Sequence, residues 1–257
     1  MDIKVMVAAH KPYWMPEDDV YLPVQVGAAG KASIAPGWQR DDEGENISAL
    51  NPYYCELTAL YWAWKNLRAD YVGLCHYRRY FGHGLPWGSL EGKKAALFTR
   101  ADYEGLLAGA DIILPKKRNY YIETVYSQYA HAHGAGDLDE LRGIIAGRCP
   151  EYLEAWARVM ASRRLYILNM FVMRREDFRS YCAWLFPLMD EFASRVDLAD
   201  PHASRLFGFL GERLLNVWLA GKSLRIAEVP VVMLERVDWL KKGRAFLRRK
   251  FMGGEVK

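Results

Sequence analysis

The chain is predicted to fold as an α/β protein: a single Rossmann-like domain with a mostly parallel central sheet flanked by helices. Two observations predict this. Short runs that are apolar at nearly every position recur along the 257 residues, and a strand apolar on both faces belongs to a sheet covered on both sides. Between these runs lie longer segments with apolar residues at helical spacing, so strands and helices alternate. Neither an internal repeat nor a Pro/Ser-rich linker divides the sequence, which reads as one domain over residues 1–238 followed by a tail over 239–257.

The first strand is Ile3 to Ala9, stopped at His10-Lys11-Pro12 because proline cannot donate to a ladder. Residues 16–50 are rich in Pro, Gly and Asp and read mostly as loop. Asn51-Pro52 opens a helix through Asn66, with Cys55, Leu57, Leu60, Tyr61 and Trp64 near one face. Tyr71 to Cys75 is the second buried strand, Asp102 to Leu107 a helix, and Ala110 to Leu114 a third strand halted by Pro115. His131-Ala132-His133-Gly134 reads as a loop, after which Asp137 caps a helix toward Ala146. Glu151 to Met160 is helical, Tyr166 to Met173 is a fourth strand, and Glu176 to Arg195 is a long helix. Phe207 to Leu219 is the last helix of the domain, and Ile226 to Met233 its last strand.

Composition narrows the class. Apolar residues at 51% and charged residues at 26% describe a folded globular chain. The four cysteines form no CxxC pair and sit in apolar surroundings, as buried thiols do in a reducing compartment. The amino terminus enters a strand at once without a secretory signal, and no apolar run approaches the ~20 residues that span a bilayer. A cytoplasmic protein is expected. Net charge is +4, but residues 240–250 hold six cations and no acid, so the rest sums to −2, which argues against a nucleic-acid binder. On a helical projection Trp239, Leu240, Phe246, Leu247 and Phe251 share one sector and the cations the other. A basic amphipathic helix of this kind lies on an anionic membrane surface, so residues 239–252 are expected to hold the protein at the inner face of the plasma membrane.

Ligands of open α/β sheets bind outside the carboxyl ends of the strands. Three cationic clusters fall there: His10-Lys11, His76 through Arg79, and Lys116-Lys117-Arg118. A crevice lined with cations suits a diphosphate, whose negative charge must be met as it leaves. There is no GxGxxG after the first strand and no GxxxxGK[ST] anywhere, so neither a dinucleotide fingerprint nor a P-loop is present.

The strings Ala9-His10-Lys11, Asp42-Glu43-Gly44-Glu45-Asn46-Ile47-Ser48, Asn51-Pro52-Tyr53-Tyr54-Cys55-Glu56-Leu57-Thr58 and Gly73-Leu74-Cys75-His76-Tyr77-Arg78-Arg79-Tyr80-Phe81 resemble a bacterial family long catalogued as a domain of unknown function. Leu114-Pro115-Lys116 and Phe207 through Leu214 extend the resemblance across nearly the whole chain. It implies a GT-A-like glycosyltransferase of capsular and exopolysaccharide synthesis, some members being galactofuranosyltransferases. The implied partners are a sugar nucleotide, UDP-linked, and a saccharide acceptor, lipid-linked or oligosaccharide.

GT-A enzymes usually carry an Asp-x-Asp metal motif after a central strand. Here that place holds His76-Tyr77-Arg78, where a guanidinium would repel the Mn or Mg ion that oxygen ligands attract. No metal ligands are assigned, and a divalent cofactor stays open. The donor side is assigned to His10, Lys11, Asp42, His76, Arg78, Arg79 and Asn169, with Arg78 or Arg79 meeting the diphosphate. The competing reading pairs those arginines with Asp41 or Asp42. The acceptor side is assigned to Lys116, Tyr120, His131 and His133. The literal Asp137-Leu138-Asp139 reads as helix-start acids rather than a metal site. An inverting transfer needs a carboxylate base. Glu212, read as opening a helix after Gly211, is the first candidate and Glu56 the second; Glu212 as a helix-start acid or partner of Arg213 is the competing role. Asn169 is either a sugar contact or a core amide. Two further functions stay open: a non-catalytic carbohydrate-binding or scaffold protein of the same pathway, and a sugar nucleotidyltransferase.

Overall fold

A computed structural model describes residues 1–84 and 88–235 of the chain; the amphipathic segment read over 239–252, and with it the 238/239 boundary, lies outside them. The strands are β1 (Ile3–Ala9), β2 (Tyr21–Gln25), β3 (Gln39–Arg40), β4 (Tyr71–His76), β5 (Arg79–Phe81), β6 (Ile112–Pro115), β7 (Arg118–Asn119), β8 (Arg164–Leu165), β9 (Phe171–Arg174), β10 (Ile226–Val229) and β11 (Val231–Met233). The helices are α1 (Asn51–Tyr54), α2 (Leu57–Asn66), α3 (Leu90–Ala95), α4 (Arg100–Leu107), α5 (Val125–His133), α6 (Gly136–Arg148), α7 (Leu153–Ala161), α8 (Arg175–Ala193) and α9 (Leu206–Ala220).

The main sheet has the order β10-β6-β9-β4-β1-β2-β3. Every pairing along it is parallel except those of β9, which runs against both β4 and β6. Side chains alternate across it, and each face has its own core. Ile3, Val5, Val7 and Ala9 of β1 pack on one side with Tyr21, Tyr80 and Tyr103, while Met6 and Ala8 face the larger cluster under α2, α8 and α9. A sheet covered on both faces is what the uninterrupted apolar runs predicted. Among the described residues no helix is long and apolar enough to cross a membrane.

The reversed β9 decides which segments meet at one sheet edge. Its amino end reaches the edge where the carboxyl ends of β1 and β4 also finish, so the segment before Phe171 joins those strand ends. In the middle of β4, Gly73 lies opposite Val5 on one side and Val172 on the other. A Cβ there would stand 2.7 Å from Val172 Cγ2 and 3.0 Å from the Phe171 carbonyl. Gly73→Ala is therefore expected to cost about 1–3 kcal/mol of stability, read by denaturant unfolding, because a packed sheet centre absorbs an extra methyl only by shifting backbone.

Several expectations are corrected. Residues 16–50 contain β2 and β3; Pro23 is tolerated because β3 pairs only at Val24 and Gln25, leaving Pro23 on an open edge. The helix expected over 51–66 breaks at Cys55 and Glu56, where Cys55 has φ 52°. The strand expected from Tyr166 begins only at Phe171, since Leu168 (φ 80°) and Asn169 (φ 49°) are both left-handed. The last strand divides at Pro230 into β10 on β6 and β11 on β5. His131 and His133 lie in the last turn of α5, not in a loop. Asp137 is inside α6, whose N-cap is Ala135. Glu212 lies well inside α9, which begins at Leu206, so it does not open that helix.

Candidate active site

A cleft of about 480 Å³ opens at the carboxyl ends of β1 and β4. Ala8 and His10 come from β1 and its exit, and His76, Tyr77, Arg78 and Arg79 from β4 and the turn into β5. Asn51, Pro52, Cys55 and Glu56 come from the α1–α2 break, and Arg205, Gly208, Phe209 and Glu212 from the start of α9. Leu168 closes the wall.

Packing explains the break that presents Glu56. Tyr54 stacks flat on Phe207, ring centroids 4.2 Å apart, and Gly208 sits so close to Cys55 that a Cβ there would be 3.2 Å from its sulfur. The helix gives way there, and Asn51 Nδ2 satisfies the freed Cys55 carbonyl at 2.7 Å.

The left-handed pair Leu168–Asn169 is held by side chains in place of a ladder. The Leu168 amide donates to Glu212 Oε1 at 2.8 Å, and the Leu168 carbonyl meets His76 Nε2 at 2.7 Å. Asn169 Nδ2 donates to Glu56 Oε1 at 2.7 Å and to the Gly208 carbonyl at 3.0 Å. Upstream, Asn216 brackets Tyr166 by accepting from its amide at 3.0 Å and donating to its carbonyl at 2.8 Å. Asn169 is 2% exposed and its Nδ2 fixes Glu56, while its Oδ1 is buried without a hydrogen-bond partner among the described residues.

Two carboxylates therefore face a group of cations. Glu212 also accepts from Arg213 Nη1 at 3.1 Å. Burial pushes its carboxyl above the usual range and nearby Glu56 adds to this, against the pull of Arg213, the Leu168 amide and Arg79. Arg78 pairs with Glu235 at 2.8 Å, not with Asp41 or Asp42. Half-buried Arg79 makes no ion pair among the described residues; burial lowers its pKa, and the Arg78 charge lowers it further. His10 stands edge-on to Tyr77 with centroids 5.3 Å apart. Its pKa is lowered by burial first, then by the charges of Arg78, Lys11, Lys31 and Arg205.

Other assigned residues fall elsewhere. Lys11 leaves the cleft lining, its ammonium 5.7 Å from the Tyr77 ring centre. Asp42 is held by Arg40, 2.7 Å away, and does not line the cleft. Exposed Lys116 and partly buried Tyr120 lie outside it too, Tyr120 beneath the Arg118 guanidinium at 5.6 Å. His131 bonds Glu123 at 2.7 Å, whereas His133 packs between Tyr129 and the cleft residue Phe209, so the two do not converge. Arg205, Cys55, Asn51 and Phe209 were not singled out from the sequence as cleft residues. Arg205 adopts φ 63° ahead of α9, its amide bonded to the Pro52 carbonyl at 3.0 Å, and no local pattern announces it.

The residues do not suit the divalent metal that a GT-A fold often carries. Arginines occupy the place of the acidic motif, and Glu56 and Glu212 are already engaged by Asn169, Leu168 and Arg213. Among the described residues no cluster of three or more His, Cys, Asp or Glu could hold a metal. Asp137 and Asp139 serve packing: Asp137 accepts from Tyr129 and pairs with His202, both at 2.9 Å, and Asp139 accepts from Tyr126 at 3.0 Å.

No curated protein matches the chain. Among solved structures it is similar to the apo structure of the WbbM bifunctional glycosyltransferase, with a TM-score of 0.84 and 30% identity, covering 92% of this chain and 46% of that one. The chain thus spans less than half the length of that protein. The α/β domain with its mostly parallel sheet is GT-A-like. The family model described as a domain of unknown function, DUF4422, matches residues 4–223, and the chain belongs to that family.

Proposed function

We propose that the protein is an inverting glycosyltransferase that moves a hexosyl group from a nucleoside diphosphate sugar to a saccharide hydroxyl in surface-polysaccharide synthesis. The observation that carries this reading is one cleft at the carboxyl ends of β1 and β4. In it Arg79, without an ion pair among the described residues, faces two fixed carboxylates. The similarity to a bifunctional glycosyltransferase supports it. UDP-galactofuranose is the donor that the family resemblance suggests.

In the proposed reaction the acceptor oxygen attacks the anomeric carbon as the bond to the diphosphate oxygen breaks. The electron pair leaves with the diphosphate, and Arg79, with Arg78 and Arg205, meets that charge. Glu212 takes the acceptor proton. Glu56, oriented by Asn169, lines the same wall and carries the second negative charge.

Arg79→Ala is expected to weaken nucleoside diphosphate binding by about 1.5–3 kcal/mol, on the order of 10–100-fold, measured by calorimetric titration. Arg78→Ala should cost less, because Glu235 already neutralises that guanidinium. The reading as a whole is tested by incubating the full chain with labelled sugar nucleotides and following transfer to saccharide acceptors. Binding without turnover across donors and acceptors would point to a carbohydrate-binding role.

A further inference from the structure

Beside the cleft, β7 and β8 form a two-stranded antiparallel ribbon, with Arg118 opposite Leu165 and Asn119 opposite Arg164. Its surface is unusual in two respects. Lys116, Lys117, Arg118, Arg163 and Arg164 are all exposed, and none makes an ion pair among the described residues. Directly after β7 stand Tyr121 at 75% exposure and Ile122 at 65%, the two most exposed large apolar side chains described.

The turn that carries this pair is braced. The Tyr121 amide donates to Asn119 Oδ1 at 2.8 Å, the Ile122 amide to the Tyr120 carbonyl at 2.7 Å, and the Tyr120 amide to the Arg163 carbonyl at 2.8 Å. Tyr121 is held at φ 60°. A turn fixed by its own hydrogen bonds projects both apolar side chains without the ordering cost of a floppy loop. The nearby acids are engaged, Glu123 by His131 and Glu228 by the Tyr166 hydroxyl.

We propose that this ribbon is a docking surface for an anionic phospholipid membrane, with Tyr121 and Ile122 entering the headgroup region and the surrounding cations meeting lipid phosphates. The combination favours a bilayer over a folded acidic protein. An apolar tip ringed by cations matches a surface that is negative outside and apolar within. Position adds to this. Three residues after β8 the chain reaches Leu168 in the cleft wall, so a membrane held at the ribbon would lie beside the candidate active site. The proposal rests on the transferase reading only in that a lipid-linked acceptor would then be presented at the cleft.

Vesicle co-sedimentation of the full chain tests it, independently of activity. The vesicles are neutral phosphatidylcholine, or phosphatidylcholine with phosphatidylglycerol, at low and high salt. In the parent chain the tail cations Lys241, Lys242, Arg244, Arg248, Arg249 and Lys250 are changed to Gln, so that the tail cannot bind in the ribbon's place. Two variants are compared with that parent, Tyr121→Ser/Ile122→Ser and Lys117→Glu/Arg118→Glu/Arg164→Glu. All five positions are exposed, so both variants should melt as the parent does. The charge variant is expected to bind phosphatidylglycerol vesicles at least ~100-fold more weakly, since each cation at such a surface contributes roughly a factor of five. The apolar variant should lose binding even at low salt. Undiminished binding by both variants, loss in the charge variant alone, or no preference for anionic lipid would overturn the proposal. So would retention on a polynucleotide column by a chain that ignores vesicles. A chain that binds vesicles through the ribbon yet transfers no sugar would keep this surface while refuting the transferase reading.

Discussion

Glu212→Gln is expected to lower transfer by about 10²–10⁴-fold while nucleoside diphosphate binding persists, because it keeps the side chain's size but removes the proton acceptor, along with the charge that meets Arg213. Glutamine keeps the oxygen that the Leu168 amide requires, so the left-handed turn at Leu168 and Asn169 should hold and the cleft keep its shape. The pH dependence supplies an internal check. A base must be ionised, and burial has raised the Glu212 carboxyl above the usual range. The acidic limb of the parent kcat profile should therefore lie above ordinary carboxylate values, with activity falling as pH drops through it.

Stability carries the matching signature with its own sign. A carboxyl whose pKa is raised on folding favours the fold most when protonated. That contribution is complete below the unfolded-state value and is lost as pH rises through the folded one. Glu212→Gln should flatten this dependence, seen as a smaller gap between melts at acidic and neutral pH. Near-normal turnover in Glu212→Gln would transfer the role of base to Glu56, whose own glutamine variant is the comparison.

The frame of this site could be read in the sequence, and its finish could not. Ile3–Ala9 matches the expected strand residue for residue, and the cationic strand ends at His10 and His76–Arg79 do line the cleft. Those features depend on local apolar runs and on the rule that α/β ligands sit at carboxyl strand ends. What escaped depends on contacts between distant segments. The 51–66 run has unbroken helical spacing, and only Phe207 and Gly208 packing against Tyr54 and Cys55 break it to expose Glu56. Likewise Tyr166 to Met173 is apolar enough for one strand, until Glu212, Asn216 and His76 supply hydrogen bonds that a ladder would have made. Asn169 was the visible hint, a lone polar residue in an apolar run. The antiparallel direction of β9, which brings that segment to the cleft, leaves no trace in periodicity.

Asp41→Ala is expected to cost about 3–5 kcal/mol, because it strips a buried acceptor from beneath one wall of the cleft. Asp41 has no exposed surface. Its carboxylate accepts from the Gly27 amide at 2.9 Å, the Ala28 amide at 3.0 Å, the Thr58 hydroxyl at 2.6 Å and the Ser48 hydroxyl. These donors come from the turn after β2, the segment before α1 and the first turn of α2, so one carboxylate joins three pieces of chain. Gly27 has φ 63°, and Asn51 packs so closely that a Cβ on Gly27 would be 2.5 Å from Asn51 Oδ1. The tie therefore also sets Val26 and Asn51, both of which line the cleft. Alanine leaves the donors buried without an acceptor, and for a chain of this size Tm should fall on the order of 10 °C. Asp41→Asn keeps one oxygen but turns an amide donor toward groups that are themselves donors, so its loss should be smaller yet still clear. Scanning calorimetry of both variants provides the measurement. An Asp41→Ala protein that melts with the parent would show that water or a rearranged turn replaces the carboxylate, and that Asp41 does not hold this wall in place.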